Sequence, residues 1–143
     1  DPELSKATAS MLRDPLITAG ASDGGAHLLS LIGVDFTTRL ISEWAPDVLP
    51  LETAVAKLTG IPAARHGLEG RGVIREGACA DLVLIDPARL RVGATRLVRD
   101  FPAGSARLVI DAEGYVATFV NGVPLYEAGH TSGALPGQVL RPA

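Results

Sequence analysis

Gly70-Arg71-Gly72-Val73-Ile74-Arg75-Glu76-Gly77-Ala78-Cys79-Ala80-Asp81-Leu82-Val83-Leu84-Ile85-Asp86-Pro87 separates two kinds of sequence in this 143-residue chain. Within it, Gly72-Val73-Ile74 and the run from Ala80 to Asp86 read as strands: short, β-rich, and bounded by Gly, Pro and Asp. Two further strands are predicted downstream, at 106–110 and 115–120. Asn121-Gly122 then stands between Phe119-Val120 and Val123-Pro124-Leu125-Tyr126, the pattern of a two-residue hairpin with a primed turn. From Ala128 the chain is rich in Gly, Thr and Pro and is expected to wrap the surface.

Upstream, the period changes from two to about 3.6. Leu4, Ala7 and Met11 fall on one face of a helix over 3–13, which Asp14-Pro15 stops because a residue before proline is pushed out of the helical region. Residues 16–19 read as a short buried strand, and 20–27 as a loop. Leu29, Ile32, Phe36, Leu40, Ile41 and Trp44 are mostly three or four apart and predict one or two helical pieces. A helix over 51–58 has Leu51, Val55 and Leu58 on one face and Pro50 in its first turn. A shorter one over 61–67 has Pro62 near its start and Gly67 as a left-handed cap. The chain therefore reads as α/β in its first half and all-β in its second.

Composition narrows the class. Apolar residues are 47% and charged residues 20%, as in a globular protein. With one Trp, two Tyr and three Phe, the core must be built from Leu, Val, Ile and Ala. Net charge is −3, and the arginines between Arg65 and Arg107 are interspersed with acids, so there is no electrostatic case for nucleic acid or an anionic membrane. The single cysteine, Cys79, excludes an internal disulfide and a Cys-rich zinc site, and is expected as a small buried residue. No apolar run approaches the roughly 20 residues of a membrane span. A cytoplasmic location is the expectation.

The chemistry-bearing stretch is Gly20-Ala21-Ser22-Asp23-Gly24-Gly25-Ala26-His27. Glycines let backbone and substrate approach closely, and an acid held among small residues after a strand can be aimed into a site. An Asp-Gly turn is the plain alternative.

Several segments together resemble the C-terminal end of an amidohydrolase. Thr18-Ala19-Gly20-Ala21-Ser22-Asp23-Gly24-Gly25 resembles the end of the eighth barrel strand. The stretches Leu51-Glu52-Thr53-Ala54-Val55 and Leu58-Thr59-Gly60-Ile61-Pro62-Ala63-Ala64 resemble the family's paired helices. Gly70 to Pro87 resembles the return into a small β-sandwich, and Val120-Asn121-Gly122-Val123-Pro124-Leu125 a later hairpin there. The N-acyl-D-amino-acid deacylase group is the one it resembles most. The resemblance implies the end of a (β/α)8 metal-dependent hydrolase barrel over 1–68, followed by part of an all-β sandwich over 69–143. A whole barrel needs roughly 250 residues, more than this chain has.

The resemblance implies zinc in the full enzyme and none bound by this chain alone. The three histidines, His27, His66 and His130, include no His-x-His pair, and Cys79 lies in the wrong segment to inherit a ligand role. One catalytic position carries over, Asp23, which in the family contacts the metal and its water, accepts a proton and delivers it to the leaving nitrogen. Ser22, Gly24, Gly25 and His27 would line the substrate side. The implied partners are a small N-acyl amino acid and the rest of the same protein, with neither nucleic acid nor membrane.

Two rival readings stay open. Gly20-Ala21-Ser22-Asp23-Gly24 also matches a Gly-x-Ser-x-Gly nucleophile elbow, and Asp111 and His130 follow in the order of a serine hydrolase. Hairpin strands, rather than further strand–helix units, weigh against it. The other is a non-catalytic module that self-associates as a homo-oligomer through open sheet edges. Of the remaining charged residues, Arg39 is either a substrate-carboxylate binder or part of a solvated helix face. His66 is expected to be structural at a helix C-terminus, and His130 exposed. Arg96, Arg99 and Arg107 are expected in surface ion pairs with Asp100 and Asp111.

Overall fold

The computed structural model describes residues 2–24, 29 and 33–140. Helix α1 (Pro2–Arg13) is followed by irregular chain over 14–24, and α2 (Phe36–Arg39), a π-helical turn (Leu40–Trp44) and α3 (Ala45–Val48) run on as one helical stretch; Ile32 of the expected helical pieces lies outside the described residues. Helices α4 (Leu51–Leu58) and α5 (Gly60–Arg65) complete the first half.

The π turn decides which side chains meet. Leu40 and Ala45 are five residues apart, and on an ideal α-helix they would point about 140° away from each other. The wider turn brings both to one side, where they are buried with Leu49 and Ala54. Leu12, Ala19, Trp44, Val48 and Leu58 pack against this cluster.

Two predicted apolar faces are not the buried ones. On α1, Leu4, Ala7 and Met11 face solvent, and it is Leu12 that reaches the core. On α4, Leu51 and Val55 are exposed, while Ala54 (0% exposed) and Lys57 (2%) are buried. Helix α5 ends as expected: Gly67 takes φ +64°, its N–H donates to the Ala64 carbonyl (3.3 Å), and the Leu68 N–H donates to the Ala63 carbonyl (2.9 Å). This is the doubly bonded Schellman cap.

Among the described residues, the second half holds six strands in two antiparallel sheets. Strands β1 (Leu82–Ile85), β4 (Tyr115–Val120), β5 (Val123–Glu127) and β6 (His130–Thr131) form one sheet in the order β1-β4-β5-β6. Strands β2 (Arg91–Val98) and β3 (Arg107–Glu113) form the other. The β4–β5 turn is the expected hairpin, with Val120 opposite Val123 and positive φ at both Asn121 and Gly122. Its turn is anchored on the incoming loop: the Asn121 N–H donates to Asp81 Oδ1 (2.8 Å), the Gly122 N–H donates to the Ala80 carbonyl (2.9 Å), and Arg71 pairs with Asp81. Asn121 Nδ2 also donates to the Pro136 carbonyl at 2.8 Å, which fixes part of the tail.

Gly72-Val73-Ile74 is not a strand. Gly72 sits against the α4–α5 junction with φ +77°, where an added Cβ would lie 2.7 Å from the Thr59 carbonyl oxygen. That close approach bends the chain and leaves Ile74 exposed. Strand β2 was not foreseen, since Gly93 and its two arginines hide the alternation. Cys79 is exposed rather than buried. The halves meet through Thr38 on α2, whose hydroxyl hydrogen-bonds the Tyr115 hydroxyl of β4 at 2.8 Å. Among the described residues, no helix is long and apolar enough to cross a membrane.

Candidate functional site

Residues 16–19 do not form a strand. A barrel strand needs neighbours on both sides for its backbone groups, and here the carbonyls of the segment are taken by side chains instead. Lys57 Nζ on α4 donates to the carbonyls of Asp14 (2.7 Å) and Ile17 (2.5 Å). Arg65 at the end of α5 donates to the Leu16 carbonyl (3.0 Å) and to Thr18 Oγ1 (3.4 Å). The start of the segment is a local turn, in which the Leu16 N–H donates to Asp14 Oδ1 at 2.8 Å.

The segment delivers the chain into Ala21-Ser22-Asp23-Gly24. Ala21 has φ +77°, a left-handed conformation that costs a residue with a Cβ about 1–2 kcal/mol. Ser22 closes the next turn, its Oγ accepting from the Gly24 N–H at 3.3 Å. Gly24 lies against Val34, where an added Cβ would come within 2.9 Å of a Val34 methyl.

Ser22, Asp23 and Gly24 are all exposed. Gly25 and His27 lie outside the described residues. Asp23 has no hydrogen-bond or ion-pair partner among the described residues. Most other aspartates do: Asp14, Asp35, Asp81, Asp86, Asp100 and Asp111 each accept from a backbone N–H or a basic side chain. Asp47, on α3, shares the lack of a partner, but it stands on a helix rather than in a glycine-bounded loop.

The elbow reading does not assemble. Among the described residues, no hydrogen bond joins Ser22 to Asp111 or His130, and no strand leads into Ser22. Arg96 holds Asp111 with two bonds (3.0 and 2.9 Å), and His130 is exposed on β6. Arg39 is likewise occupied: Nε donates to Asp35 (2.6 Å) and Nη1 to both oxygens of Glu43 (2.8 Å each). These acids, Asp35 first, hold its pKa above the ordinary value, and its Nε and Nη1 are engaged within the helical stretch. Arg107 pairs with Asp100 as expected, but Arg99 donates to the Gly104 carbonyl instead. His66 is exposed at the cap of α5.

Among the described residues, no three His, Cys, Asp or Glu side chains converge as a metal site would require. Asp23 is a single exposed donor. The described residues do not by themselves form a metal centre.

The sequence profile of the Amidohydrolase family matches residues 2–126. This chain belongs to the amidohydrolase family. Within it, the chain groups with the N-acyl-D-amino-acid deacylases. It is 42% identical over 95 residues to the N-acyl-D-aspartate deacylase of Alcaligenes xylosoxydans xylosoxydans, covering 66% of this chain and 17% of that protein. It is 40% identical over 104 residues to the D-aminoacylase of the same organism, covering 71% of this chain and 20% of that one. Among solved structures, a D-aminoacylase mutant in complex with CuCl2 superposes with a TM-score of 0.59 at 34% identity, over 73% of this amidohydrolase chain and 20% of that one. A second D-aminoacylase structure, described for the functional role of its binuclear metal centre, gives 0.54 at 34% identity, over 68% and 19%. The chain thus spans about a fifth of the length of these relatives.

Sequence reasoning missed Lys57 and Arg65. A lysine three residues before the Gly60-Ile61-Pro62 helix start reads as solvated, because nothing in the local pattern shows that a neighbouring segment offers it bare carbonyls.

Proposed function

We propose that this chain is the C-terminal portion of a zinc-dependent amidohydrolase that cleaves the amide of N-acyl-D-amino acids, with Asp23 as its proton carrier. The (β/α)8 barrel end over 1–68, the β-sandwich portion over 69–143 and a cytoplasmic location belong to the same proposal. What carries it is the family match over residues 2–126, which brings a carboxylate with no partner among the described residues, in a Ser-Asp-Gly-Gly sequence, together with deacylase relatives.

Amide hydrolysis forms a bond from the water oxygen to the acyl carbon and breaks the bond from that carbon to nitrogen. One water proton must travel to the departing nitrogen, since an amine anion is too basic to leave. A carboxylate with no competing partner can take that proton and release it on the other side of the reacting centre. Toward the described residues, Asp23 has this freedom. Ser22, Gly24, Gly25 and His27 are proposed to line the substrate beside it. Asp23 would contact the metal, the other ligands of a metal centre would come from elsewhere in the protein, and no catalysis is expected from the chain alone.

In the full-length enzyme, Asp23→Asn should lower kcat by roughly 100- to 10,000-fold, the usual size of a general acid–base contribution. Turnover near the wild-type value would remove Asp23 from the mechanism.

A second reading, a self-associating module, is favoured by β1. It is an edge strand of its sheet, and Val83 and Leu84 are 58% and 55% exposed although they point to opposite faces. Size-exclusion chromatography of the 143-residue chain should then show a concentration-dependent dimer. A clean monomer at high concentration counts against it.

A further inference from the structure

The segment that carries the chain into the Asp23 loop has an unusual support. It belongs to no sheet among the described residues. Ala19 at its end packs against the cluster that includes Ala54 of α4, and its polar links to α4 and α5 are the bonds from two cationic side chains: Lys57, 2% exposed, to the carbonyls of Asp14 and Ile17, and Arg65 to the Leu16 carbonyl and the Thr18 hydroxyl. Burying an ammonium is costly unless its donors are satisfied. The fold meets that condition by spending two of its hydrogen bonds on one five-residue stretch. The points held are three consecutive kinds of site, at 14, 16–17 and 18, so both translation and twist of the segment are fixed.

The far side of the loop is also held. Val34 packs at Gly24, and an added Cβ at Gly33 would sit 3.6 Å from Ser22 Cα. Between these two supports lies the left-handed Ala21, a conformation that persists only when its surroundings over-determine it.

We propose that Lys57, assisted by Arg65, is a positioning residue: it clamps residues 14–18 and so sets where Asp23 is presented. The functional half of this statement rests on the proposed role of Asp23; the clamp itself does not.

The experiment therefore has two readouts. In the 143-residue chain, Lys57→Met keeps the apolar stem and removes the donors. Amide hydrogen exchange at Leu16 and Ile17, whose N–H groups bond to Asp14, should accelerate by about tenfold or more, while exchange inside α4 and α5 stays as in the wild type. Unchanged exchange at Leu16 and Ile17 overturns the clamp. Equal acceleration throughout α4 and α5 also overturns it, by showing a general contribution to the core. Should Lys57→Met not fold, Arg65→Gln is the deciding variant. Arg65 is exposed, so its loss leaves the core intact, and the same local acceleration is expected in smaller measure.

In the full-length enzyme, Lys57→Met should lower kcat by about 10- to 100-fold, the scale of a misplaced catalytic group, with KM within twofold. A kcat at the wild-type value, alongside accelerated exchange, overturns the link to Asp23 and leaves the clamp. Comparison with Asp23→Asn separates the failures. If that variant is itself fully active, the role of Asp23 is wrong, and the exchange result still decides the clamp.

Discussion

The helical half and the strand half of this chain solve burial differently. Residues 36–65 gather Leu40, Ala45, Leu49, Ala54 and Ala63 out of solvent. The strand half buries only Leu90 and Ala117 among its described apolar residues. Leu82, Val83, Leu84, Leu97, Val116 and Val123 stay exposed. The difference teaches that backbone pairing and core formation are separable. Both sheets have antiparallel ladders, each with a shift in register, yet among the described residues neither closes its apolar faces against a second layer of strands.

The largest expected effect lies in the helical half. Leu40→Ala should cost about 2–5 kcal/mol, the range for truncating a buried leucine. Leu84→Ala in β1, the same chemical change, should cost about 0.5 kcal/mol or less. Urea titration of both variants checks the contrast. Equal losses would break it and mean that β1 is covered in solution.

The smallest effect sharpens the strand half, where exposed ion pairs accompany the backbone ladder between β2 and β3. A hydrogen bond from Arg107 holds Asp100 below the usual carboxylate range, and one from Arg96 does the same for Asp111. Depressed folded-state values mean that the folded chain binds fewer protons than the unfolded chain in acid. The stabilisation is thus complete above about pH 4, the ordinary carboxylate value, and fades as pH falls through the lower folded values. Both pairs are exposed, so the effect is modest. Replacing Asp100 and Asp111 by Asn should flatten the dependence of stability on pH below 4. An unchanged slope would show that the two pairs contribute nothing.

How much was legible in the sequence follows from what each signal encodes. Local signals worked: Pro50 and the helix formers after it bound α4 at Leu51–Leu58, Gly67 took its left-handed cap, and Asn121-Gly122 made its turn. Signals that need a partner did not. Periodicity offered Leu51, Val55 and Leu58 as the inner face of α4, but which face is covered depends on what lies beside it, and here Ala54 and Lys57 face the neighbours. The apolar run at 16–19 had strand character but no strand to pair with. At the candidate site, Asp23 was visible through its glycines and its family resemblance. The clamp below it was not, because a lysine bonded to carbonyls 40 and 43 residues away leaves no mark in either local pattern.

The π turn at Leu40–Trp44 carries a consequence for length variation. A helix that accommodates five residues where four would make a turn holds one residue in reserve. A chain lacking one position between Leu40 and Ala45 would place the same two side chains four apart, which ordinary α geometry already stacks on one face. The buried stripe is thus compatible with two lengths of chain, and this stretch of helix can absorb a single-residue deletion that would scramble the packing of α4.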